Sequence, residues 1–189
     1  VIEGIEVHSG DIFVSRGGAE VSALISRGND YPGNFSHVAL LYVDDKTKKP
    51  SFVEAHIERG VAVATAAQYL KDIKLRFMVL RLNAANAAYR HDLLLPHKAA
   101  SFALQQHHQK HIPYDFALNY TDHHALFCSE VASQAYDTFG VKLWNNLSTI
   151  SASGVRNWLH AFGVSNFVTQ MPSDLEYDTD LDVVAEWCN

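Results

Sequence analysis

Ser36-His37-Val38-Ala39-Leu40-Leu41-Tyr42-Val43 is a nearly continuous apolar run with a histidine at its head. Such a run, bounded on the left by Asn29, Asp30, Pro32, Gly33 and Asn34, reads as a buried strand entered from a surface loop. After the polar stretch from Asp44 to Pro50, Phe52-Val53-Glu54-Ala55-His56-Ile57 resumes as a partner strand, which makes a hairpin. Gly60 turns the chain into a third strand at Val61-Ala62-Val63, so the centre of the sequence is an antiparallel meander.

Working outward, Gly10-Asp11 opens a strand through Ile12, Phe13 and Val14, and Ala19 to Arg27 reads as a short helix stopped by Gly28. Downstream, Ala66 to Leu70 is a short helix and Phe77 to Leu82 another strand. Ala84 to His111 looks helical in two pieces, with Pro96 expected to break the pattern because it lacks an amide hydrogen. From Cys128, apolar residues recur at Val131, Ala132, Ala135, Tyr136 and Phe139, one face of a helix closed by Gly140. Ser153 to Phe162 is expected as a last helix, with Ser153 as its N-cap. Strands and helices are segregated rather than alternating, which defines an α+β class.

The 189 residues favour a single domain spanning 1–189, and no repeat, low-complexity tract or Gly/Ser linker suggests a boundary. Net charge is −6, from 15 basic and 21 acidic residues, and its placement is uneven. Every Lys and Arg lies at or before Arg156, whereas Asp174, Glu176, Asp178, Asp180, Asp182 and Glu186 crowd the end. An acidic C-terminal segment of about 172–189 is expected as a solvated tail or sheet edge, and it argues against nucleic acid as a partner. The longest apolar run, Val38 to Val43, is too short to cross a bilayer, so no transmembrane segment is expected. Two cysteines, Cys128 and Cys188, are too few for a disulfide framework. The chain begins with Val, and if a leader has been removed a secreted or periplasmic location is favoured.

No G-x-G-x-x-G, G-x-x-x-x-G-K, H-E-x-x-H or G-x-S-x-G signature occurs, which weakens nucleotide, zincin and serine-elbow readings. Chemistry is therefore sought at Cys128, in Leu126-Phe127-Cys128-Ser129-Glu130. At a helix N-terminus, unpaired backbone amides and the positive end of the helix dipole favour a thiolate over a thiol. By position alone, a buried structural cysteine is the commoner case. His37, at a strand end after a loop, is held by a rigid element yet open to a cleft, as a general base must be. Alternation places Phe52, Glu54 and His56 on one face of the neighbouring strand, from which either Glu54 or His56 reaches an imidazole beside it.

The order Gly10-Asp11-Ile12-Phe13, Ser36-His37-Val38-Ala39-Leu40, Val53-Glu54-Ala55, Tyr114-Asp115 and Phe127-Cys128-Ser129-Glu130-Val131 resembles the circularly permuted NlpC-type papain-like cysteine hydrolases of the YiiX-like branch. The motifs span residues 10 to about 140, and the histidine precedes the cysteine, the mark of the permuted branch. The resemblance implies a small antiparallel sheet or open barrel packed against the helix that bears the cysteine. It implies Cys128 as nucleophile, His37 as general base and Glu54, in its Val-Glu-Ala context, as the third polar group ahead of His56. Tyr114 matches the Tyr-Asp motif, with a hydroxyl able to help hold an oxyanion beside the Cys128 amide, and Asp115 is structural by analogy. The implied activity is an amidase, peptidase or esterase working through an acyl-enzyme, with neither cofactor nor metal required. An acyltransferase on the same scaffold and a non-catalytic binding module are the alternatives, and a metal-dependent hydrolase using the histidines is a more distant one. The implied partner is a small-molecule, peptide or lipid-type substrate. The segment after Ser148 carries no matching motif.

Eleven histidines are present, and His107 with His111, or His123 with His124, have spacings that can bind zinc. No carboxylate or cysteine accompanies them at ligand spacing, so exposed or hydrogen-bonded histidines are expected there.

Overall fold

The computed structural model describes residues 1–189 except Asn29, Tyr31, Pro32, Ile73, Tyr120, Trp144, Phe162 and Asn189. Asn29 and Pro32 of the expected loop, and the final residue of the expected last helix, thus lie outside the described residues. Among the described residues the strands β1 (Ile12–Gly17), β2 (His37–Val43), β3 (Pro50–His56), β4 (Gly60–Thr65), β5 (Lys74–Leu82) and β8 (Leu181–Cys188) form one sheet in the order β4-β3-β2-β1-β5-β8. All its neighbouring pairs are antiparallel. A separate small ladder joins β6 (Ser148–Thr149) to β7 (Val168–Thr169).

The central strands β1, β2 and β3 are buried on both faces, which is why β2 reads as an unbroken apolar run rather than an alternating one. Val14, Val38, Leu40 and Val53 pack under helices α4 (Leu95–Gln109) and α5 (Cys128–Asp137). Phe13, Ala39, Leu41, Phe52 and Val79 form the other layer with Tyr69 of α2 (Ala66–Lys71), whose ring stacks on Phe52 at 3.9 Å between centroids. The alternation of β1, β2 and β3 therefore divides one set of apolar residues between two cores.

Two motif residues fix the start of β1. Gly10 has φ +92°, and a Cβ there would meet Pro96 Cβ at 2.4 Å and Tyr136 Oη at 2.7 Å. Its carbonyl accepts a 2.7 Å hydrogen bond from the buried Tyr136 hydroxyl, tying α5 to the start of β1. The buried Asp11 carboxylate takes two hydrogen bonds from the Arg81 guanidinium of β5, at 2.7 and 2.8 Å, and one from the His8 amide. Such a forked, charge-assisted pair fixes geometry as well as supplying energy. The Gly-Asp pair is thus a structural device at a three-way junction.

The structure corrects several expectations. Pro96 does not break a helix but sits in the first turn of α4, where a missing amide hydrogen costs nothing; α3 (Ala87–His91) ends before it. Ser153 is the first residue of helix α6 (Ser153–Ala161) rather than its cap. Gly33, expected in a surface loop, is buried, and its amide donates to the Ser26 carbonyl at the end of α1 (Glu20–Arg27). Of the two readings of the acidic C-terminal segment, tail or sheet edge, the structure shows the edge: β8 completes the sheet against β5, while Pro172–Tyr177 before it forms a 3₁₀ turn with Asp174 buried. Asp174 caps the turn by accepting from the Met171 amide at 2.7 Å and also takes the Ser148 hydroxyl, so its charge is spent inside the fold.

Candidate active site

Cys128 is the first residue of α5 and His37 the first residue of β2. Both line one cleft, together with Glu54, His56 and Tyr114. Antiparallel pairing sets Ala39 opposite Glu54, so Glu54 stands diagonally from His37 on the same face of the sheet. The His37 Nε2–H donates to Glu54 Oε2 at 2.7 Å. That bond leaves Nδ1 for the Cys128 thiol, with which the ring also hydrogen-bonds.

The electrostatics follow from this arrangement. Burial disfavours a charged imidazole, but hydrogen bonds with Cys128 and Glu54, and the charges behind them, outweigh it and push His37 from 6.5 up to about 9. Burial alone would raise Glu54; the His37 hydrogen bond and then the His56 imidazole beside it hold the carboxyl at about 2. Glu54 is thus a fixed anion behind a ring that readily carries a proton. His56 Nε2 lies 3.0 Å from the other carboxylate oxygen, Oε1, but is not aligned for a hydrogen bond, and its ring is 5.6 Å from that of His37. Of the two groups that strand alternation left open, Glu54 meets His37 and His56 flanks the carboxylate.

Tyr114 reaches the cleft through backbone pairing. It bridges Leu126 in parallel: Leu126 donates to the Pro113 carbonyl and Asp115 to the Leu126 carbonyl, which sets Tyr114 beside the approach to Cys128. The segment is held from the other side by Gly60, whose φ is +69° and where a Cβ would lie 2.2 Å from the Ile112 carbonyl oxygen; the Val61 amide donates to that same oxygen. Burial raises the Tyr114 hydroxyl well above its ordinary value, so it is a donor at neutral pH. The Asp115 carboxylate accepts from the Ala117 and Asn119 amides, at 2.7 and 2.6 Å, and builds the loop.

Glu130, two residues into α5 from Cys128, had no role in the sequence reading. It is fully buried, its Oε2 accepts from the Phe127 amide at 2.9 Å, and its Oε1 has no hydrogen-bond partner. Burial pushes it up to about 9, which makes it a neutral acid that closes the helix start without adding a negative charge next to the thiol. The other histidines do not gather: His107 bonds the Val61 carbonyl and His124 pairs with Asp122. Among the described residues, the group of three that could hold a metal is His37, Glu54 and His56.

A thiol at a helix N-terminus, an imidazole at the head of a neighbouring strand and a carboxylate behind that imidazole define the class of papain-like cysteine hydrolases, with the histidine strand preceding the cysteine helix in the chain. Residues 6–184 match the model of the permuted papain-like amidase enzymes, the YaeF/YiiX, C92 family, and the chain belongs to that family. The match extends through most of the segment after Ser148, which short motifs had left outside the resemblance. The fold is also that of a solved Escherichia coli O157:H7 protein described as metalloprotein YiiX, at a TM-score of 0.74, 19% identity, and coverage of 96% of this chain and 98% of that one. Comparison with curated proteins finds no match.

Proposed function

We propose that the protein is an amidase or related acyl hydrolase in which Cys128 is the nucleophile, His37 the acid-base group, Glu54 the orienting carboxylate and Tyr114 an oxyanion donor. The observation that carries this reading is the His37–Glu54 hydrogen bond of 2.7 Å, which commits one ring nitrogen and turns the other to the thiol at the start of α5. In the acylation step the thiol proton passes to His37 Nδ1 and Sγ attacks the carbonyl carbon. The tetrahedral oxygen takes its hydrogen bonds from the Cys128 amide and the Tyr114 hydroxyl. Collapse breaks the bond to the leaving group, which departs with the proton from His37. Water then gives a proton to His37 and its oxygen to the thioester carbonyl; the C–S bond breaks, the thiol recovers its proton and the acid leaves.

The test is to incubate the protein with activated amides and esters and to search for an acyl adduct on Cys128 by mass spectrometry. An adduct that disappears in Cys128→Ala, with turnover lost, supports the assignment; turnover that survives Cys128→Ala overturns it.

A second reading is favoured by the cluster of His37, Glu54 and His56, whose ligand atoms lie within 4.8 Å of one another, by the unbonded His56 Nε2, and by the description of the YiiX structure as a metalloprotein. Two imidazoles and a carboxylate are a donor set for a divalent ion such as zinc, so the residues fit. A bound ion there supplies Lewis-acid polarisation of a carbonyl or of water. Its binding needs the His37 Nε2 lone pair, which in the thiol mechanism carries the proton donated to Glu54, so the two uses of the site exclude each other. Zinc that activates turnover, independently of Cys128, supports this second reading. Zinc that inhibits, and whose binding in calorimetry is lost in His56→Gln but kept in Cys128→Ala, supports the first with a metal-blocked state.

A further inference from the structure

Phe127 is the single residue between two fixed pieces of the site. Before it, Leu126 is tied to the Tyr114 segment, donating to the Pro113 carbonyl at 3.1 Å and accepting from the Asp115 amide at 3.2 Å. After it, Cys128 begins α5. The backbones that carry the two donors assigned to the tetrahedral oxygen, the Tyr114 hydroxyl and the Cys128 amide, are therefore placed relative to each other through Phe127. Its φ of −91° and ψ of 174° orient the planar Phe127–Cys128 peptide, and that plane holds the Cys128 N–H.

Glu130 restrains both of those torsions. Its Oε2 accepts from the Phe127 N–H at 2.9 Å, and its own backbone N–H donates to the Phe127 carbonyl at 3.1 Å. One hydrogen bond lies on the amide side of the Phe127 Cα and the other on the carbonyl side, so rotation about either bond strains one of them. The arrangement is half of a capping box. A phenylalanine side chain has no acceptor with which to supply the other half, so the Glu130 side chain caps this turn without a reciprocal bond.

This clamp is built where it touches no substrate. Glu130 is fully buried and lines neither the polar cleft nor the apolar cavity on the other side of Cys128, which is walled by α1, the loop at Phe116 and α6. A cap works equally well at the surface, whereas burial leaves Oε1 without a partner, a cost that a merely structural cap does not need. What burial adds is neutrality. Protonated up to about 9, the carboxyl accepts from Phe127 without setting a negative charge beside an oxygen that becomes negative during acylation. Resting on the thiol-hydrolase reading above, we infer that Glu130 is a positioning residue, which aims the Cys128 amide at the tetrahedral oxygen through its two hydrogen bonds to Phe127.

Two reagents separate aim from reactivity. p-Nitrophenyl acetate acylates Cys128 through a tetrahedral intermediate and needs the oxyanion donors; iodoacetamide alkylates the same thiol by displacing iodide from a saturated carbon, where no oxyanion forms. Glu130→Met fills a similar volume without an acceptor. Its acylation rate at saturating ester should fall about 10- to 100-fold at unchanged half-saturation, somewhat less than the roughly 10²- to 10³-fold lost when an oxyanion donor is removed outright. Its alkylation rate should stay within about threefold of the parent's, because the thiol and His37 are untouched. Glu130→Gln is neutral and still an acceptor, so it should acylate within about threefold of the parent. Glu130→Asp, whose oxygen is drawn back by one methylene, carries the same expectation as Glu130→Met and replaces it if that variant does not fold by circular dichroism. Parental acylation in Glu130→Met or Glu130→Asp overturns the inference. Acylation and alkylation that fall together in a folded variant also overturn it, since Glu130 would then act on the thiol. So does a Glu130→Gln that acylates as slowly as Glu130→Met, because the proton and not the acceptor would then matter. If the parent is alkylated but acylated by no ester, the hydrolase reading itself fails and the positioning role fails with it.

Discussion

Replacing Glu54 by Gln isolates the electrostatic part of the proposed mechanism. The amide keeps an oxygen that can accept from His37 Nε2–H, so the ring stays oriented; what disappears is the negative charge 2.7 Å from it in a nearly buried position. A hydrogen bond to a charged group contributes about 1.5 to 3 kcal/mol. At 1.36 kcal/mol per factor of ten, kcat/KM should fall about 10- to 150-fold. The same energy is about one to two pKa units. The alkaline limb of kcat/KM, set in the parent near the His37 value of about 9, should therefore move down to about 7 or 8. Stability follows with a defined sign. His37 is raised above its unfolded value of 6.5, so its contribution is complete below 6.5 and is lost as pH rises through about 9. Glu54 is depressed below 4.5, so its contribution is present above 4.5 and lost as pH falls through about 2. The stabilising effect of the pair is therefore greatest between pH 4.5 and 6.5, and Glu54→Gln should lower Tm most in that window. Rate against pH on a nitrophenyl ester, with circular dichroism as a control for folding, measures both. An alkaline limb that does not move, or a larger rate loss in His56→Gln than in Glu54→Gln, would refute the assignment of Glu54.

Other consequences are equally direct. Iodoacetamide near neutral pH should label Cys128 well before the exposed Cys188, although Cys128 is the more buried of the two free thiols, and His37→Ala should remove that preference; peptide mapping over time reads both. Tyr114→Phe should cost about tenfold to a few hundredfold in kcat with little change in KM, since the hydroxyl is assigned to the tetrahedral oxygen and not to the ground state. Glu130 binds its proton up to about 9 when folded, against 4.5 when unfolded, so the folded state loses stability as pH rises across that interval; Glu130→Gln should flatten the fall of Tm between pH 5 and 8. Gly10→Ala should lower stability by several kcal/mol in a urea melt, because a Cβ at φ +92° also runs into Pro96 and the Tyr136 hydroxyl.

The sequence by itself determined what depends on local periodicity and on short motifs. The apolar run after His37, the hairpin to Glu54 and the helical stripe after Cys128 each state their structure within a dozen residues, because a strand covered on both faces is continuously apolar and a helix with one buried face repeats about every three and a half residues. Cys128 and His37 stood out as candidates because each begins such an element, whereas Tyr114, and Glu54 ahead of His56, were named by resemblance to family motifs. Periodicity could not choose between Glu54 and His56, since both share a strand face, and register alone does not choose either: it sets Glu54 diagonally from His37, and the side-chain geometry gives Glu54 the 2.7 Å bond to the imidazole. The acidic segment could be read only as a tail or a sheet edge because charge counts say nothing about distant partners: Glu186 pairs with Arg76 across 110 residues, and Asp182 accepts from Asn83 across 99. The neutral Glu130 and the apolar cavity beside Cys128 also belong to tertiary structure. Burial sets the first, and the second is made where α1, the loop at Phe116 and α6 converge, a juxtaposition that no spacing along the chain encodes.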